Sequence, residues 1–97
     1  MSIFVYREHN ERSKMNVVSG ENSDLVIRGV RFHVQTEDWG FDAKVFVSRI
    51  FKDGSVVKTY KIAYEKVPRV LDPDVRRKAV MRLHQLVVEK AHTELNK

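Results

Sequence analysis

No cysteine occurs among the 97 residues, which excludes disulfides, a thiolate nucleophile and cysteine-ligated zinc. Proline and glycine are scarce as well, at two and four residues, and there is no low-complexity run or internal repeat. No apolar run nears the roughly 18 residues of a membrane span. The opening Met1-Ser2-Ile3-Phe4-Val5-Tyr6 lacks the basic start and long apolar core of a signal peptide, so the expected location is the cytoplasm. Also missing are a Gly-x-Ser-x-Gly elbow, a Gly-rich phosphate loop and a His-Glu-x-x-His helix.

What remains is 42% hydrophobic and 32% charged, the composition of an ordinary soluble globular protein. The length suits one small domain over residues 1–97. The net charge of +5 is unevenly spread. Residues 1–38 carry five basic and six acidic side chains, whereas Lys44 to Arg82 carry eleven basic and four acidic. The second half could therefore face an anionic partner, although a solvated, solubilising face explains a charge of this size equally simply.

Taken in order, Ile3-Phe4-Val5-Tyr6 is short and β-prone, and residues 7–24 read as a polar, mobile connection ending in the turn-rich Gly20-Glu21-Asn22-Ser23-Asp24. Leu25-Val26-Ile27, Arg28-Gly29 and Val30 to Thr36 form an expected hairpin, with Gly29 supplying positive φ. Strand alternation puts Phe32, Val34 and Thr36 on one face and His33, Gln35 and Glu37 on the other. Asp38-Trp39-Gly40 ends the strand, leaving Trp39 either to cap the core or to stand as a binding anchor. Asp53-Gly54 predicts a second hairpin joining Val45–Lys52 to Ser55–Tyr64. With Lys52 opposite Ser55, Val45, Val47 and Phe51 face Ile62, Tyr60 and Val56 as the core face, and Arg49 falls opposite Lys58.

Val67 to Leu71 reads as extended because Pro68 disfavours helix at Val67. Asp72 then suits an N-cap and Pro73 the first helical position, predicting a helix over 73–94. Val75, Ala79, Val80, Leu83, Leu86 and Val87 form one broad stripe. Met81, His84, Val88, Ala91 and Leu95 form an adjacent one. That is more apolar surface than one sheet face needs, so a homodimer through the helix, or a cover from the N-terminal segment, is expected.

His33, Gln35 and Glu37 invite a metal or acid/base reading, but His33 and Glu37 lie roughly 13 Å apart on a strand and cannot share one ion. His84 and His92, about 12 Å apart along a helix, do not help. No metal, cofactor or catalytic residue is expected, and His33 reads as a hydrogen-bonded structural histidine. A nucleic-acid reading rests on Arg49, Lys52, Lys58 and Lys61 in the hairpin and Arg76, Arg77, Lys78 and Arg82 in the helix. Against it, the assumed register splits the hairpin bases between two faces, and the aromatics do not fall into a solvent-facing RNA-binding pattern.

Gly29-Val30-Arg31-Phe32-His33-Val34-Gln35-Thr36-Glu37-Asp38, followed by Phe51, Gly54 and a basic strand ending in Tyr64, resembles short uncharacterised bacterial proteins with a G-x-x-[FY]-H-V-Q-T-E-D motif. The resemblance covers roughly residues 25–65 and, more weakly, the C-terminal helix. It implies a bacterial source and no particular reaction.

The expected protein is thus α+β, an antiparallel meander of four to five strands packed against one C-terminal helix. Its expected role is a non-catalytic protein-interaction or adaptor module, with nucleic-acid binding through residues 44–82 as the alternative and an enzyme sited near His33 as a third reading. The partner-binding candidates are His33, Gln35, Glu37, Trp39, Met81, His84 and Val88.

Overall fold

The computed structural model describes residues 18–96. Four strands form an antiparallel sheet in sequential order, β1 Glu21–Ile27, β2 Val30–Asp38, β3 Val45–Lys52 and β4 Ser55–Ala63. A four-residue helix, α1 Gly40–Ala43, links β2 to β3, and the long helix α2, Pro73–Glu94, closes the chain. This is the expected α+β meander with a C-terminal helix. The strand expected at Ile3–Tyr6 and residues 7–17 of the connection expected over 7–24 lie outside the described residues.

Both tight hairpins follow from their turn residues. Arg28-Gly29 and Asp53-Gly54 each place two successive residues at positive φ, 53° and 79° in the first and 52° and 81° in the second. This is the turn whose twist matches that of the flanking strands. The long helix starts where its signals lie: the Asp72 carboxylate accepts from the Asp74 amide at 2.9 Å, and Pro73 occupies the first turn. Val67, ahead of Pro68, is extended as expected (φ −115°, ψ 106°). The rest of that connection is not extended: Tyr64–Lys66 is a 3-10 turn, and the Asp72 amide bonds to the Arg69 carbonyl at 3.0 Å, closing a tight turn.

Three further expectations are corrected. First, β1 begins at Glu21, not Leu25. Its turn-prone residues are held by cross-strand partners: Asn22 and Asp24 bond His33, and Ser23 bonds His84 of the helix.

Second, the core face of β3 is Phe46, Ser48 and Ile50, not Val45, Val47 and Phe51. A bulge is responsible. Phe51 pairs with Val56 but Ile50 pairs with Lys58, so Val57 is the extra residue. Tyr60 and Ile62 thereby join Ser48 and Phe46 on the helix side, and Arg49 faces Thr59, which removes the Arg49–Lys58 like-charge pair.

Third, the two helix stripes are one. The buried line is Arg76, Val80, Leu83, His84, Val87 and Ala91, flanked by Ala79, Val88 and Leu95, which pack at its margin. Of the second stripe only Met81 stays displayed, at 47% exposure. The surplus apolar surface that favoured a helix-mediated homodimer is therefore largely taken up by the sheet.

The core lies between α2 and the inner face of the sheet, centred on Val34, Phe46, Ile50, Val80 and Val87. Two polar clusters interrupt it. At mid-sheet, His84 meets Ser23 Oγ through Nε2 and Thr36 Oγ1 through Nδ1, both at 2.8 Å, and Thr36 meets Ser48 at 2.7 Å. At the end of β2, Asp38 accepts from the Gly40 amide at 2.9 Å and from the Tyr64 hydroxyl. Arg76 Nε faces its other oxygen at 3.5 Å. The guanidinium donates to the Val70 carbonyl at 2.8 Å and lies 4.6 Å from the Phe41 ring centre. These bonds tie α1, the 64–72 connection and α2 to the end of one strand.

Candidate interaction surface

Because α2 covers one face of the sheet only, the outer face is open among the described residues, as is common for antiparallel sheets. The alternation of β2 delivers His33, Gln35 and Glu37 to it, as the sequence predicted, while Phe32, Val34 and Thr36 turn inward. The register adds Arg49 beside Gln35, Phe51 beside His33, and Val47 between Glu37 and Lys61.

Trp39 is the feature that organises this face. Its indole N–H donates to Glu37 Oε1 at 3.1 Å. Its ring lies 5.7 Å from the Arg49 guanidinium and 5.9 Å from the Lys61 ammonium, while Glu37 and Arg49 approach to 3.7 Å. Val47 is only 1% exposed although it points away from the helix. Glu37 and Lys61, its neighbours across the strands, both touch Trp39. Trp39 therefore caps the outer face and not the main core, to which its neighbour Phe41 turns, and it remains 38% exposed. Arg49 also lies 5.5 Å from the Phe51 ring, making a chain of cation–π contacts along the surface.

Toward the hairpin tips, His33 donates from Nδ1 to Asp24 at 2.8 Å and its Nε2 lies 3.1 Å from the side-chain oxygen Oδ1 of Asn22. An open cleft of about 200 Å³ lies beside it, lined by Asp24, Arg31, Phe51 and Asp53 among others. Among the described residues no three histidine or carboxylate groups come close enough to hold a metal ion.

The structure separates the remaining candidates. His84 is buried, its two nitrogens engaged by Ser23 and Thr36, so it is not displayed to a partner. Burial lowers its pKa, with Glu21 opposing and His33 adding to the shift. Val88 packs at the edge of the core, on the helix side of the sheet with Met81. Tyr64, which sequence reasoning did not single out, is held protonated well above the ordinary range by burial first and by its bond to Asp38 second. Its alternation with Tyr60 and Ile62 along the strand was visible, but its pairing with Asp38 spans 26 positions and leaves no local signal.

The basic candidates are dispersed. Arg76 is buried in the Asp38 cluster, Arg77 pairs with Asp74 and Lys58 lies 3.7 Å from Glu94 on the helix side. Arg49 and Lys61 flank Trp39 on the outer face. Lys52 sits at the hairpin tip, while Lys78 and Arg82 are exposed on α2. No helix of the described residues is long and apolar enough to cross a membrane. Compared with known proteins, the chain matches no family model, no curated protein and no solved structure.

Proposed function

We propose that the protein is a small, non-catalytic interaction module that docks another protein on the open face of its sheet. The observation that carries this reading is Trp39, in contact with Arg49, Lys61 and Glu37 on that face while keeping over a third of its surface exposed. A large ring whose position is fixed before binding loses little entropy on association, which is the property of a binding anchor.

Around it, Phe51 and Val56 contribute apolar area, and Glu37, Arg49, Lys61 and His33 supply polar groups of both signs. Such a mixed, nearly balanced surface suits a protein better than a polyanion, whose backbone requires a continuous basic track. The cytoplasmic location and the bacterial source belong to the same reading.

The experiment is affinity capture from native lysate with the wild type, Trp39→Ala, His33→Ala and Met81→Glu. The reading expects one set of captured proteins to be lost with Trp39→Ala, weakened with His33→Ala and retained with Met81→Glu on the helix. Loss with Met81→Glu alone, or capture of nucleic acid in place of protein, would overturn it.

A further inference from the structure

The two edges of the sheet carry opposite charge. β1 holds Glu21 and Asp24 and no basic residue, whereas β4 holds Lys58 and Lys61 and no acidic one. Each is an outermost strand among the described residues, so each presents a row of backbone donors and acceptors with no neighbouring strand. These charges are well exposed: the Asp24 side chain is 77% accessible beside His33, and Lys58 is 54% accessible beside Glu94.

Like charges on facing strands are destabilising. Two β4 edges laid together would oppose four lysines across one short ladder. Two β1 edges would oppose four carboxylates. An acidic strand against β4 avoids both, and the protein carries such a strand on its own opposite edge.

The topology permits the match. In a four-strand meander β1 and β4 run in opposite directions. A second copy shifted sideways therefore brings its β1 antiparallel to β4 of the first, with both long helices on the same side and the alternation unbroken.

We infer that the protein associates with copies of itself by pairing β4 of one copy with β1 of the next. This contact uses the sheet edges and does not depend on the docking role of the outer face. It is heterologous: each added copy leaves one β1 and one β4 edge free, so assembly continues past the dimer. Adjacent strands twist by roughly 20–25°, so successive copies turn by about a right angle and the assembly winds as a filament.

The test is sedimentation velocity over a wide range of protein concentration, at low and high salt. The inference expects the mass to rise beyond that of a dimer at low salt, with association weakened about tenfold or more when the edge charges are screened. Lys58→Glu/Lys61→Glu has two acidic edges and Glu21→Lys/Asp24→Lys has two basic ones. Each alone should remain monomeric, and mixing them should restore growth. Circular dichroism establishes that each is folded, and if either is not, Lys58→Gln/Lys61→Gln with the salt series gives the same reading. A monomer at every concentration, a dimer that grows no further, or association indifferent to salt and to charge exchange would overturn the inference.

Discussion

Replacing Asp38 by alanine probes the most concentrated set of interactions in the fold. The Asp38 carboxylate has no exposed side-chain surface and Arg76 only 4%, so the substitution takes away the carboxylate that faces the guanidinium in a nearly dry site. The Gly40 amide and the Tyr64 hydroxyl lose their acceptor at the same time. Breaking a buried pair in this way costs about 3–5 kcal/mol, against a total stability of about 5–15 kcal/mol for a folded protein. Arg76→Met in the same background removes the guanidinium at similar volume. The double variant should therefore recover about 1–2 kcal/mol relative to Asp38→Ala, its remaining deficit reflecting the hydrogen bonds of Gly40, Tyr64 and the Val70 carbonyl, each at about 1 kcal/mol or less. Urea unfolding followed at 222 nm reads both quantities. With a slope of about 1–2 kcal/mol per molar urea, the midpoint of Asp38→Ala should fall by about 2 M or more. A loss under about 1 kcal/mol, or a double variant no better than the sum of the singles, would show that the pair is not buried as described.

Other expectations follow from the same geometry. Burial lowers the pKa of His84 in the folded protein below its ordinary 6.5, so the unfolded chain takes up a proton more readily. Stability should be fully present above pH 6.5 and fall as the pH drops through the lowered value, and the part due to this residue should disappear from the pH profile of His84→Gln. Gly20→Ala would place a methyl group 2.7 Å from the Thr36 carbonyl oxygen, forcing β1 away from β2, and thermal unfolding should show a clear loss of stability. Trp39→Ala removes an indole in contact with Glu37, Arg49 and Lys61 and should cost about 1–3 kcal/mol while leaving the circular dichroism spectrum of the fold intact. On a nucleic-acid column at low salt the wild type should show no retention that rising salt abolishes, since its basic residues are scattered over both sides of the molecule.

Much of the architecture was legible because local signals agreed with one another. Asp72-Pro73 and the apolar spacing beyond it defined the long helix, Arg28-Gly29 and Asp53-Gly54 set the turns, and alternation from Phe32 to Glu37 sorted the faces of β2. The parts that escaped depend on contacts between distant residues. Asn22, Ser23 and Asp24 favour turns in isolation and become strand because His33 and His84 meet their side chains. The bulge at Val57 has no glycine to announce it, yet it exchanges the faces of β3 relative to β4. His84 looked like part of a displayed stripe, since nothing nearby in sequence shows that Ser23 and Thr36 would engage both ring nitrogens. For the outer face, the sequence placed His33, Gln35 and Glu37 together, but the addition of Trp39, Arg49 and Lys61 required the folded sheet.

Docking on the open sheet face is tested most directly by site-specific photo-crosslinking in cells. A photoreactive side chain at Thr59, exposed on the outer face beside Arg49, should give a discrete crosslinked protein that Trp39→Ala abolishes. The same group at Gln85, exposed on the long helix, should give none. A crosslinked partner from Gln85 with nothing from Thr59 would contradict the account.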